Sequence, residues 1–548
     1  MNLNKHTGWM KVLVTFVIGA VICSSAHAQR DTTRRQTIEI TSSYKPVLRD
    51  PVKINLYASP LTSDTSRPRL AYNIPPQNLF FTYQPVALRP LALAADTSLI
   101  LGDRNQLKVG FGSFTTPYIS GAFSFGDGKK NLLNVYGDYI SSRGNIRHQD
   151  FSEINVKGAG SIFSEKNETY AFAAFTQHEY YQYGYDHDLL DYDKNILRRS
   201  YQDLSAGIGY RNITVNDLNV TYNPHLELHT FSRENKATET TLIVNVPAEK
   251  KFSESVSLKV NATANLDKYN PKTGTGNITN NLFQLAPELI YYSDVFTFRG
   301  GATPSWNNNE LKVLPNIYGE AQLQNNVIYL QAGWVGRYIP NSFRTLSNEN
   351  PYMNDPTFLK NTREVQFYGG IKATLDRHFN FNAKAAVIHY TDMPLFINSA
   401  TDQKGFDVVN ESKLDNFQLH GDLSYINQDK FTVTGGLDLN SYGGLQDNEK
   451  AWHLFPVKLT GSLRWNAFRQ ILFKSDLSAF SGAKALLGDG SIKKLKGGTD
   501  LSAGAEFKIN PQFSAWLDFN NILNSKYERW NNYAVYGLQV IGGILIHF

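Results

Sequence analysis

The chain has 548 residues, and its 54 Lys+Arg against 49 Asp+Glu leave a formal charge of only +5, too even a balance for the concentrated basic face that nucleic acid requires. A mean hydropathy of -0.35 and 19% charged residues also exclude a bundle of membrane helices, because each span needs about 20 nearly unbroken apolar residues and no such run follows the extreme N-terminus. Aromatic residues make 13% of the chain, with 33 Phe, 30 Tyr and 7 Trp against 4 Met, a mixture that suits the pleated surface of strands.

The first residues read as an export signal. Lys5 and Lys11 precede the short apolar stretch Val12 to Ile22, and Ala26-His27-Ala28 forms a small-residue cleavage site, so residues 1–28 are expected to be removed. The chain's 1 cysteine, Cys23, would leave with them, excluding disulfides, zinc–cysteine sites and cysteine nucleophiles together. Residues 29–104 hold Pro46, Pro51, Pro60, Pro68, Pro75, Pro76, Pro85 and Pro90, and proline cannot donate to a sheet ladder. This stretch is read as a periplasmic or lumen-occluding arm. Within it Gln36 to Tyr44 alternates like a short strand, to be added to a partner's sheet or paired within the same protein.

From residue 105 to Phe548 the dominant signal is period two. Leu226 and Leu228 alternate with His225, Glu227 and His229; Val365, Phe367 and Ile371 with Glu364, Gln366 and Lys372; Phe431, Val433, Leu437 and Leu439 with Thr432, Thr434, Asp438 and Asn440. Such runs recur too often for one soluble core, so the apolar face is assigned to lipid and the polar face to a lumen. Short turns such as 164–167, 292–294 and 510–512 alternate with long polar loops near 182–199, 267–278, 340–362, 392–413, 442–451 and 481–498, the asymmetry of an outer-membrane barrel. The expected fold is therefore all-β, an antiparallel transmembrane barrel over 105–548 of about 22 strands (16 to 22) in the cell outer membrane. Tyr180 to Tyr185, Tyr291-Tyr292, Trp334 to Tyr338 and Trp465 are assigned to interfacial girdles.

The C-terminal stretch carries a resemblance. Asn520-Asn-Ile-Leu-Asn-Ser-Lys-Tyr-Glu528, Tyr533 and Gly542-Gly-Ile-Leu-Ile-His-Phe548 resemble the closing hairpin of TonB-dependent outer-membrane receptors. The resemblance implies a 22-stranded barrel importing a scarce ligand, coupled to a TonB-like energy transducer through a short box near the mature N-terminus. Ile38, Glu39, Ile40 and Thr41 are similar to that box. Tyr536, Leu538, Val540, Ile544, Ile546 and Phe548 are assigned one face of the last strand, with Phe548 as the signal read by the barrel assembly machinery. Two family features are missing: a plug domain ahead of the first strand, and the Pro-Gly-Arg element of the last hairpin.

Remaining candidates are local. Tyr269, Trp306, Asn307 and Asn308 suit stacking and hydrogen bonding to a sugar-like ligand held by outer loops. Asp186, Asp188, Asp191 and Asp193 crowd one loop with hard oxygen ligands but lack EF-hand spacing, so the reading is a solvated acidic loop with no metal. Lys493, Lys494 and Lys496 are either a solvated loop or a contact to lipopolysaccharide phosphates. No serine-hydrolase, phosphate-loop or dinucleotide motif occurs, so neither an enzyme nor a cofactor is expected. The functional expectation is a receptor or transport barrel that captures ligand with its loops and passes it through the lumen. A passive porin-like channel and a structural or assembly accessory are its alternatives. Outer-membrane lipid, lipopolysaccharide and a surface lipoprotein are the further partners expected, and nucleic acid is not.

Overall fold

The computed structural model describes residues 105–548, apart from 235, 272–275, 325–326, 376–377, 402–403 and 428–429. The expected signal peptide, the arm and the box Ile38 to Thr41 lie outside the described residues.

The strands are β1 Gln106–Gly112, β2 Thr116–Gly126, β3 Asn131–Ser142, β4 Phe151–Phe163, β5 Asn167–Tyr181, β6 Arg198–Asn212, β7 Val220–Tyr222 with His225–Arg233, β8 Ala237–Lys251, β9 Val256–Asn270, β10 Ile278–Thr279 with Leu282–Tyr292, and β11 Phe296–Asn307. They continue as β12 Glu310–Gln324, β13 Ile328–Ile339, β14 Thr362–Leu375, β15 Phe379–Thr391, β16 Leu414–Asn427, β17 Phe431–Gly443, β18 Val457–Phe468, β19 Ile471–Phe480, β20 Gly498–Lys508, β21 Phe513–Asn520 and β22 Gln539–His547. Every neighbouring pair is antiparallel, and β22 returns to β1, with Gln106 opposite His547 and Gly112 opposite Ile541. The sheet has 24 segments, but β7 and β10 are each one strand interrupted near its start, giving a closed ring of 22. In β7 the break falls at Asn223-Pro224, where proline has no N–H to give the ladder.

Alternation sorts the two faces as expected. Leu226, Leu228, Phe367, Ile371 and Leu437 are exposed on the outside, whereas Glu364 and Gln366 are buried facing in. Most strands have 11 to 15 residues, ample for a tilted span of about 9–11. An outward apolar band on a closed ring has only lipid to bury against, so the chain spans a membrane. Trp334, Trp465 and Tyr291 face outward as girdle residues. The inward charges are largely paired across neighbouring strands, as in Arg337 with Glu364 (3.0 Å), Arg464 with Asp476 (3.2 Å) and His420 with Asp438 (2.6 Å).

The closing seam is tight. A side chain on Gly543 would meet the Val109 carbonyl at 1.9 Å, and one on Gly110 would meet the Trp516 ring at 2.3 Å, so glycine is required where the strands approach under that indole. The Lys108 ammonium lies 3.9 Å from the Trp516 ring centre on the lumen side.

The last strand corrects one expectation. β22 begins only at Gln539, and residues 521–538 form a long loop in place of a tight hairpin. Val540, Ile544 and Ile546 share the outward face, but Leu538 precedes the strand and Tyr536 is buried among the loops. Asn521 and Asn524 sit at φ of 48° and 49°, the left-handed region that asparagine tolerates, and the Asn521 amide donates to the carbonyls of Ser525 (2.9 Å) and Tyr536 (2.7 Å). The motif Asn520 to Glu528 is thus the start of a folded loop. Phe548 follows the strand, 62% exposed, near the short-turn rim.

The register makes a direct prediction. Leu437 is 40% exposed to lipid and pairs with Leu459, while the Thr434 hydroxyl is 2.6 Å from Ser462 inside the lumen wall. Leu437→Arg should cost about 2–4 kcal/mol of insertion stability and Thr434→Arg much less. Heat-resistant folded fractions on gels read the difference, and equal damage from both would refute the register.

Candidate functional site at the outer mouth

Six long loops rise from one rim, at 182–197, 340–361, 392–413, 444–456, 481–497 and 521–538. Their apolar residues are packed against each other and against inward-facing residues of the strand ends. The loop 340–361 contributes helix α1, Phe343–Glu349, entered through a capping box in which Ser342 and Thr345 satisfy each other's backbone N–H. Phe343 points to the inner wall and meets Tyr269 (4.8 Å between ring centres), Phe231 (5.3 Å) and Tyr201 (6.4 Å). Glu239 of β8 accepts the N–H groups of Phe343 and Arg344 with its carboxylate, so the wall itself caps the helix. A loop leaving from β13 therefore lands inside the mouth on β6 to β9.

Three sectors meet at one cluster. Tyr183 follows β5, Tyr352 follows β13 and Tyr533 follows β21, which are eight, eight and six strands apart around the ring. The rings of Tyr352 and Tyr533 stack with centres 3.7 Å apart, and Tyr183 meets them at 5.9 Å and 4.9 Å. Hydrogen bonds tie the same loops: Gln182 Nε2 donates to the Tyr352 carbonyl (3.1 Å), Tyr183 donates to the Ala534 carbonyl (2.8 Å), and the Tyr533 and Tyr536 hydroxyls donate to the carbonyls of Lys404 and Gln149. A side chain on Gly184 would stand 2.2 Å from the Tyr533 ring, so the closure requires glycine there.

Beside this cluster Trp530 is fully buried between Phe396 (5.1 Å), Phe406 (5.4 Å) and His453 (5.0 Å). The Arg529 guanidinium lies over Trp530 (4.3 Å) and Phe455 (4.5 Å) and donates to the His453 carbonyl (2.6 Å). Glu411 accepts the backbone N–H groups of Gln446 (2.8 Å), Asp447 (3.0 Å) and Asn448 (2.8 Å), tying the loop 444–456 to the hairpin Met393–Asn398 with Phe406–Glu411. Burial opposes ionisation of Glu411, but these donors outweigh it and hold its pKa low. Together the loops form a lid across the lumen's outer end.

The residues chosen as ligand contacts are consumed in this framework. Tyr269 lies buried beneath Phe343, out of reach of a ligand outside the lid. Trp306 is 42% exposed on the lipid face as a girdle residue. Asn307 accepts from Asn361 (2.8 Å), and Asn308 donates to Asn280 (2.7 Å), whose own amide donates to the Asn341 carbonyl (2.8 Å) and to Asn361 (2.9 Å). The asparagines anchor the feet of the lid loop. Tyr180, Tyr183 and Tyr185, assigned to a girdle, are buried inside the mouth. In the acidic loop Asp186 caps its own turn, Asp191 pairs with Arg147 (2.8 Å) and Asp193 caps a short helix, and no metal-binding cluster occurs among the described residues. Sequence reading missed Tyr352 and Trp530 and took Tyr533 only as part of a closing hairpin; the available signal was the density of aromatics within long loops.

No family model and no curated protein matches the chain. Solved structures do. The iron transporter FrpB from Neisseria meningitidis is similar over 82% of this chain and 82% of its own, at TM-score 0.64 and 11% identity. The siderophore receptor PirA from Acinetobacter baumannii is similar over 81% and 80%, at 0.64 and 10%. A mutant of the ferric enterobactin receptor PfeA from Pseudomonas aeruginosa covers 81% and 80%, at 0.60 and 11%. The chain thus has the 22-strand receptor-barrel fold that the closing residues resembled.

Lid stability should depend on pH through two groups. Burial, and secondarily Arg529, pushes His453 from 6.5 down to about 3, so the closed lid holds it neutral while an opened loop would protonate; that stability is present above 6.5 and lost as pH falls toward 3. Burial pushes Glu349, at the end of α1, from 4.5 up to about 7, so its share is present below 4.5 and lost as pH rises through 7. The slopes oppose between 4.5 and 6.5. Glu349→Gln should therefore convert a nearly flat profile into one rising by up to about 1.4 kcal/mol per pH unit in that window. Hydrogen exchange in 521–538 measures it, and a flat profile in the variant would show that His453 is not sealed.

Proposed function

We propose that this protein is an outer-membrane receptor barrel whose resting state is closed from outside, and whose lid opens to admit a ligand that then passes through the lumen. The observation that carries the reading is the meeting of Tyr183, Tyr352 and Tyr533 from three sectors of the rim. A passive porin needs standing water through its mouth, and a packed aromatic lid is a poor match to that. Tyr533→Ala should cost the lid about 3–5 kcal/mol, the usual loss for truncating a buried aromatic. In planar bilayers the variant should conduct where the parent protein is silent, with increased entry of large antibiotics into cells. A parent protein that already conducts steadily would return the porin reading.

For the ligand, iron chelates are the first class to test, because the solved structures of the same fold carry the names of iron and siderophore receptors. The alternating box Ile38 to Thr41 is assigned to coupling with a periplasmic energy transducer. Cells lacking the protein should lose growth on a particular ferric chelate under iron limitation. Deleting 36–44 should reproduce that loss while barrel levels stay unchanged. Growth on every chelate in the panel, together with an unchanged envelope, would favour the accessory reading.

A further inference from the structure

The inward face of β3 to β6 holds a recess of about 290 Å³ near the short-turn rim. Leu133, Val156, Ile162, Ile208 and Tyr210 are exposed on the lipid face, so their chain neighbours Asn134, Lys157, Ser161, Gly207, Gly209 and Arg211 face the lumen. Cross-strand pairing sets Phe172 between Ala159 and Gly207, and Tyr170 between Ser161 and Gly209. Both rings lean onto β6: a side chain on Gly207 would stand 2.4 Å from the Phe172 ring, and one on Gly209 would stand 2.2 Å from the Tyr170 ring. Ala159 is too small to fill the space left over β4, and that space is the recess.

Its charges do not balance. Lys157, Arg211 and Glu168 are the charged side chains of the lining. Arg211 is spent on Glu168, to which its Nε donates at 2.7 Å, and the same carboxylate accepts from the Ser161 hydroxyl (2.7 Å). The uncompensated charge is therefore that of Lys157, which forms no ion pair among the described residues. Its ammonium lies 4.9 Å from the centre of the Phe172 ring, an attraction that holds a cation in place without neutralising it. Beside it the Asn134 carbonyl accepts from the Ser124 hydroxyl (2.8 Å), and the Asn134 amide N–H groups have no partner among the described residues. Ala159, Ala171 and the two rings make the rest of the lining largely apolar. One cation and one amide donor above an apolar bed match a single anionic head on a small apolar body, and the volume lies at the lower end of ligand sites, about 300–1,000 Å³. We propose that this recess binds a small organic carboxylate, with its head on Lys157 and Asn134 and its body on Phe172 and Tyr170. The site is at the opposite end of the lumen from the lid, and binding there needs neither an iron chelate nor an energy transducer.

The test titrates the full-length protein in detergent into para-fluorobenzoate and follows the ligand by fluorine NMR, with empty micelles as the blank. The parent protein should broaden the ligand signal saturably. Lys157→Gln should weaken binding about tenfold, the usual worth of a hydrogen bond to a charged group. Ala159→Leu keeps every charge but fills the space, and should abolish binding. Lys259→Gln removes another inward lysine, opposite Glu288 on β9 and outside the recess, and should change nothing. Acetate, which has the charge without the body, and benzyl alcohol, which has the body without the charge, should each fail to displace the probe at equal concentration. Absence of binding to the parent, or undiminished binding to Lys157→Gln or Ala159→Leu, would overturn the proposal. So would displacement by either competitor, or an equal loss in Lys259→Gln, which would mark the general charge of the lumen. Heat-modifiability on gels verifies that each variant is folded before it is scored.

Discussion

A bilayer supplies no water to an unpaired N–H or carbonyl, so a strand-built span must pair every backbone group within its own chain. That constraint organises this molecule. Each strand pairs with the next from β1 round to β22, and the last pairing, Gln106 to Gly112 against His547 to Ile541, removes both open edges at once. Glycines at Gly110 and Gly543 let the first and last strands approach, with Trp516 lying over the gap they leave. A ring of 22 strands has a wide bore, and a wide bore left open would leak. The architecture that satisfies the backbone therefore creates the need for a stopper, and the outer loops meet that need.

Long loops do not fold over a mouth without cost. Each ordered residue gives up about 1–2 kcal/mol of backbone entropy, and six long loops are ordered together. What offsets this is the burial of large rings, where each aromatic removes 150–250 Å² from water and edge-to-face pairs add about 0.5–1.5 kcal/mol. The wall contributes as well, through Glu239 capping α1 and Asn280 holding both feet of the loop that carries it. Lid and barrel are accordingly one energetic unit: a change in Glu239 or Asn280, deep in the strand ends, acts on a surface that closes the other side of the mouth.

The barrel was legible in the sequence because lipid on one side and a polar lumen on the other impose strict alternation, as at Glu364 to Ile371 and Phe431 to Asn440. The lid was not, because packed loops have no period. Tyr183 and Tyr185 read as girdle residues since an aromatic near a strand end is usually one, yet here the chain turns inward over the lumen. Tyr536 was placed on a strand by counting back from Phe548, a count that fails because Asn521, Asn524 and Gly537 belong to a loop with its own hydrogen bonds. Asn307 and Asn308 suggested a sugar site because amides bind hydroxyls, but they bind other amides equally well, and only position decides between the two.

The same fold supports ligand import, passive diffusion and purely structural roles, so the barrel alone does not choose among them. The lid does, through its stability relative to the opened loops. A porin requires the open form to dominate, and an accessory is served by a lid that never opens. A gated receptor sits between, with a lid closed by a few kcal/mol that a ligand or a pull from the periplasm overcomes; a ligand shifts such an equilibrium only as far as it binds the open form better. The groups that bear on this balance are the tyrosine cluster, in which Tyr352 stacks on Tyr533 and Tyr183 meets both edge-on, and His453 and Glu349, whose titrations act on closure in opposite senses. If the opposed titrations of the two groups offset each other, the proposed gate responds little to modest acidity, and a binding event or an applied force is then the trigger that the proposal requires.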